Sequence, residues 1–150
     1  MNGKSQRSLM RRMFAAAAGV SLLVGLMACE RDMTIALTKK TNPPSFKLDG
    51  SGRLFFFSVS EVSPGKPSSA DDPPIWEIRP TSEDRISSLP EITYGVVPPG
   101  FTQTVPKTAT PAPLVEGKLY EAGGPGLEAN GGAIRFIIKD GNAVMQSSGR

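Results

Sequence analysis

Two arrangements of apolar and polar residues divide the chain. From residue 13 to residue 28 the side chains are apolar or small and none is charged. After residue 45 no apolar repeat of helical period lasts three turns. Short stretches alternate with period two instead, punctuated by Pro and Gly, as in a run of β-strands. Residues 53–60 (RLFFFSVS) make the strongest such stretch: alternation sends Phe55, Phe57 and Val59 to one face and Leu54 and Phe56 to the other. Residues 75–79 (IWEIR) place Trp76 and Ile78 opposite Glu77. Residues 45–48, 92–97, 118–122, 133–139 and 142–146 complete the set, and residues 33–37 would add an edge strand. Asp140-Gly141 suits a two-residue hairpin turn between the last two strands, and residues 49–52 (DGSG) suit a turn because glycine tolerates positive φ.

Between these strands, residues 63–74 read as a loop. Residues 98–113 read as a Pro-rich crossover stiffening a sheet edge, or else as a polyproline-like strip that another protein recognises. Residues 123–132 read as a mobile Gly-rich loop. Seven or so short strands at this spacing predict an all-β fold, a single antiparallel β-sandwich.

The first apolar run has a different use. Lys4, Arg7, Arg11 and Arg12 precede it without an acid, and it spans 16 residues, short of the ~20 that cross a bilayer as a helix. It ends in Leu26-Met27-Ala28-Cys29. This order resembles the lipobox of bacterial lipoproteins: a branched residue, a tolerant position, a small residue, then Cys. The resemblance implies cleavage between Ala28 and Cys29 and lipid on the Cys29 thiol, which becomes the first residue of the mature protein. Two or three chains hold a protein firmly where one is marginal. Arg11-Arg12-Met13-Phe14 also resembles a twin-arginine export motif, so the general and the twin-arginine routes both stay open. Glu30 follows the cysteine; many Gram-negative lipoproteins retained at the inner membrane carry Asp there, which points this chain to the outer membrane where one exists. The implied organisation is a signal peptide over 1–28, a lipidated cysteine and tether over 29–45, and the sandwich over 46–150.

Removing the leader changes the charge. The whole chain holds 17 Lys and Arg against 14 Asp and Glu; four of the basic residues and none of the acids fall in 1–28, which leaves 13 basic and 14 acidic groups in the mature part. The basic character belongs to the leader, and no basic stripe remains that would bind nucleic acid. Cys29 is the sole cysteine and histidine is absent. That excludes disulfides, His-based triads and His-ligated metal centres; no metal or other cofactor is expected, and no catalytic residues are singled out.

A second resemblance concerns the sandwich. Residues 114–120 (LVEGKLY) are similar to the L-x-x-G-x-x-Y run of fibronectin type III domains. There the Tyr packs in the core and its hydroxyl bonds to backbone upstream, the tyrosine corner; the resemblance gives Tyr120 that part. The Trp usual in an early strand of that family is replaced here by Phe56 or Phe57, and Trp76 comes later, so the resemblance implies a fibronectin-like or immunoglobulin-like sandwich.

Few residues carry candidate chemistry. The acid pairs Asp71-Asp72 and Glu83-Asp84 lack the further oxygen ligands of a calcium site and read as solvated loop acids. A carboxylate pair drawn from Glu77, Glu83, Asp84 and Glu91 is what an enzyme would have to use. The run Phe55-Phe56-Phe57 with Trp76 is first of all core material, and Phe56 or Trp76 facing outward would instead form a binding surface. The expectation is a non-catalytic, lipid-anchored domain of the cell envelope. It would meet a membrane through Cys29 and another envelope protein through loops or a sheet edge, the alternative being a surface carbohydrate-binding module.

Overall fold

The computed structural model describes residues 31–63, 72–127 and 130–146. The signal segment, the cleavage position Ala28, the lipidation position Cys29 and Asp71 lie outside the described residues. Among those described, eleven strands and one 3₁₀ turn (Ile86–Ser88) make an all-β, antiparallel fold. No described helix is long and apolar enough to cross a membrane.

Two sheets form the layers. The first contains β1 (Thr34–Lys39), β2 (Ser45–Asp49) and β6 (Ile92–Thr93), with β2 in the middle. The second contains β4 (Phe57–Glu61), β5 (Pro74–Pro80), β7 (Phe101–Val105), β8 (Leu119–Gly124), β10 (Gly132–Lys139) and β11 (Asn142–Met145), in the order β11-β10-β8-β4-β5-β7. A short ribbon pairs β3 (Arg53–Leu54) with β9 (Gly126–Leu127). The sheets share one core: the Phe46 ring of β2 lies 5.4 Å from Phe57 of β4 and 5.6 Å from Phe136 of β10. Each of these residues is fully buried, so the apolar face that these strands present is covered by the opposite sheet. The layers are those of a β-sandwich.

Tyr120 sits at the start of β8. Its ring stacks on Phe136 at 5.7 Å, and its hydroxyl accepts a hydrogen bond from the Val115 N–H at 2.9 Å. The polar end of a buried phenol is thereby satisfied, and the chain entering β8 is pinned. Tyr94 closes the flank between β6 and β7 in a similar way: its ring lies 5.4 Å from Trp76 and its hydroxyl donates to the Ala112 carbonyl at 2.6 Å. Burial, with Tyr120 nearby, pushes the Tyr94 hydroxyl up from 10.0 to about 12. The unfolded chain therefore releases this proton first. Stability is fully present below pH ~10 and declines as pH rises from there to about 12. A spectrophotometric tyrosine titration beside alkaline melting curves should show the late ionisation of Tyr94, absent in Tyr94→Phe, and that loss over the same window.

The structure departs from the strand pattern in five places. Residues 31–45, expected as a tether holding an edge strand over 33–37, belong to the folded body throughout, with that strand present as β1. Arg31 already exchanges hydrogen bonds with Ser51, Met33 is 4% exposed, and β1 pairs along β2, because the β2 edge supplies partners for its backbone. The stretch 53–60 is two strands: the chain bends at Phe55 and Phe56, so Leu54, Phe57 and Val59 are buried and Phe55 is 46% exposed. The stretch 92–97 keeps only two strand residues. The Pro-rich stretch contains β7, which pairs along β5 as the sheet's edge; its Phe-Thr-Gln-Thr-Val alternation was masked by the prolines around it. The described part of the Gly-rich stretch holds paired backbone, with Gly123 and Gly124 in β8, Gly126 and Leu127 in β9 and Gly132 opening β10.

Candidate binding groove

Alternation on the strands of the larger sheet also builds its outer face. Phe57 and Val59 point into the core, so Ser58 and Ser60 of β4 point away from it; Tyr120 and Ala122 do the same for Glu121 and Gly123 of β8, and Trp76 and Ile78 for Glu77 of β5. These outward residues, with Phe56, Asp72, Pro74, Gly124, Pro125 and the start of β10, line a groove of about 660 Å³.

Its relief has a local cause. Glycine at 123, 124 and 132 lets neighbouring backbones approach closely: a Cβ on Gly123 would lie 2.3 Å from the Gly132 carbonyl oxygen, and one on Gly124 would lie 1.9 Å from that of Phe56. The floor is thus bare backbone, while the side chains of β4, β5 and β8 rise around it.

The polar groups of the groove are held in place. Glu77 is only 8% exposed although it faces outward; its Oε1 accepts from Thr104 Oγ1 at 2.6 Å and from Arg79 Nε at 3.0 Å. The Arg79 guanidinium in turn lies 5.2 Å from the Phe55 ring centre and 5.6 Å from that of Phe56, so both aromatic rings hold it by cation–π contact. Glu121 Oε2 accepts from Arg135 Nε at 2.9 Å, and the Ser60 hydroxyl donates to the Asp72 carbonyl at 3.4 Å. The result is one partly exposed aromatic ring, Phe56, beside fixed carboxylates and hydroxyls. Such a surface suits a ligand with an apolar face and several hydroxyl or amide groups, whether a sugar or an extended peptide.

Of the residues expected to form a binding surface, Phe56 lines this groove and Trp76 does not. Trp76 is fully buried between Phe57 and Tyr94, with its Nε1–H donating to Gln103 Oε1 at 3.0 Å, because its side of β5 faces the opposite sheet. Of the acids weighed for catalysis, Glu77 lines the groove and Glu83 lies elsewhere, 2.6 Å from Arg53 Nη1. The groove's other acids, Asp72 and Glu121, were not singled out as partners of Glu77; the period-two placement of Glu121 between Tyr120 and Ala122 was the available signal. Among the described residues no three His, Cys, Asp or Glu converge as metal ligands would. The chain matches no family model, no curated protein and no solved structure.

Proposed function

We propose that this protein is a lipid-anchored, extracytoplasmic binding domain of the cell envelope, without a catalytic role, that holds a segment of another envelope protein in the groove on its outer sheet face. The lipobox-like Leu26-Met27-Ala28-Cys29 supports the anchor, and the hydroxyl bond of Tyr120 supports the fibronectin type III resemblance of the sandwich. The observation that carries the binding reading is the groove itself, where a half-buried aromatic ring and hydrogen-bonded carboxylates stand over a glycine floor. An extended peptide laid there would meet fixed hydroxyls and carboxylates along its backbone and set one side chain against Phe56.

The test is crosslinking and recovery from intact cells, comparing the native protein with Phe56→Ala and Ser60→Arg, which respectively remove the ring and fill the groove. One envelope protein recovered with the native chain and depleted severalfold with both variants is the expected result. Recovery unchanged by either variant would move the partner away from the groove. A second reading, a carbohydrate-binding module, is favoured by the same ring; binding of a soluble domain to a glycan array, lost in Phe56→Ala, would select it.

A further inference from the structure

The N-terminal end of the folded body fixes which end of the sandwich meets the anchor. Arg31 is docked on the turn after β2: its N–H donates to Ser51 Oγ at 2.6 Å, and its carbonyl accepts from the Ser51 N–H at 3.1 Å. Two residues on, the Met33 N–H donates to the Asn130 carbonyl at 3.1 Å. Only Glu30 separates Arg31 from Cys29, a span of about 7 Å even when fully extended. Lipid on Cys29 therefore leaves no tether, and the end of the sandwich built by residues 31–34, 49–57, 123–127 and 130–132 is held within a few ångströms of the bilayer.

That end carries an apolar feature of its own. In the ribbon of β3 and β9, Arg53 stands opposite Leu127 and Leu54 opposite Gly126, and the Phe55 N–H continues the pairing by donating to the Pro125 carbonyl. Leu54 is buried, so the alternate positions Phe55 and Leu127 share the outer side, where they are 46% and 44% exposed. The arginines around them are matched by acids, Arg31 with Asp49, Arg53 with Glu83 and Arg79 with Glu77, so an attractive field is not what this end offers a partner. What it offers is an aromatic and an aliphatic side chain at the distance of the headgroups, with the Arg79 guanidinium lying against the aromatic ring.

We infer that the ribbon of β3 and β9 rests on the membrane surface, with Phe55 and Leu127 inserted at the boundary of headgroups and acyl chains. The inference rests on the lipid attachment proposed above. It makes the anchor a two-point contact that orients the sandwich, with the opposite end, where Asp140 and Gly141 turn between β10 and β11, pointing away from the bilayer.

The test uses the lipidated full chain, purified from cells and reconstituted in vesicles of phosphatidylethanolamine with a minority of phosphatidylglycerol. Because lipid occupies the native thiol, Phe55→Cys, Leu127→Cys and Lys139→Cys each introduce a single reactive cysteine for a small aromatic fluorophore. Mass spectrometry of the purified chains first reads the acyl groups. With acylation present, the labels at 55 and 127 should be quenched severalfold more strongly by headgroup-nitroxide lipid than the label at 139, and severalfold less by aqueous iodide. Equal exposure of all three labels to iodide overturns the inference and leaves the anchor standing. Labels at 55 and 127 protected from both quenchers overturn it as well, because protein rather than lipid then covers the ribbon. Chains without acyl groups remove the anchor and the inference together.

Discussion

Gly124→Ala is expected to destabilise the domain by at least about 3 kcal/mol and to lower its melting temperature by on the order of 10 °C. The added methyl would stand 1.9 Å from the Phe56 carbonyl oxygen and 3.0 Å from its carbon. These are backbone atoms, and the chain on their C-terminal side is pinned, since Phe57 is fully buried against Phe46 and Trp76. The clash cannot be relieved by turning a side chain. It is relieved by parting β4 from β8, the pair at the centre of the larger sheet. Gly117→Ala is the matched control. Gly117 has φ +78 and open space around its missing Cβ, so alanine there costs only the left-handed backbone penalty of roughly 1–2 kcal/mol. Thermal melts of the two variants separate close approach from backbone conformation; equal melting temperatures would mean that the strands around Gly124 are looser than the structure has them.

Trp76→Ala should cost about 3–5 kcal/mol and should act on folding rather than on binding. The indole is the largest fully buried side chain, contacts Phe57 and Tyr94 edge-on, and donates to Gln103. Gln103 is itself bonded through Nε2 to the carbonyls of Pro106 and Ala109, so the tryptophan orients the side chain that holds the chain leaving β7. Trp76→Phe keeps much of the apolar volume but orphans Gln103 Oε1, and a loss of about 1–3 kcal/mol is expected. Phe56→Ala, at a half-buried position, should cost under ~1 kcal/mol. Chemical denaturation of the three variants beside a partner-recovery assay distinguishes the roles: Trp76 should move stability and Phe56 should move binding. A destabilisation by Phe56→Ala as large as that by Trp76→Ala would assign Phe56 to the core instead.

These two aromatics mark how far the candidate site could be read from residue order. Phe56 and Trp76 carry the same local signal, a large ring in an alternating strand, and the outward or inward sense of that alternation depends on which face another sheet covers. Trp76 shares its face with Ile78 and goes inward. For Phe56 the expected separation from Phe57 was right, but the bend at Phe55 and Phe56 reversed the parity of everything before it, so that Leu54 is inside and Phe55 outside. The glycines are a similar case. Gly123, Gly124 and Gly132 could equally mark a flexible loop or a place where strands crowd together; the close approach of the Phe56, Gly132 and Met33 carbonyl oxygens decides for crowding. The groove is a consequence of that crowding and has no signature in a linear pattern.

What the order of residues determined by itself is local. Period-two alternation without helical repeats specifies strands, and the prolines exclude long ones. Asp140-Gly141, with φ of 52° and 70°, turns a hairpin in the register that pairs Lys139 with Asn142. The Leu-Val-Glu-Gly-Lys-Leu-Tyr run leads into β8 with Tyr120 in the core. The strands and the hairpin follow from backbone sterics and nearest neighbours, and the core place of Tyr120 is what the resemblance to the fibronectin type III run implies. The tertiary structure alone decided which strands lie side by side, that β7 finds a partner in β5 despite its flanking prolines, that the edge strand expected over 33–37 pairs with β2, and which outward-facing residues gather into one groove. These depend on contacts between segments far apart in the chain, such as Glu77 with Thr104 and Met33 with Asn130. A one-dimensional pattern states that a face is apolar; only packing supplies the surface that covers it.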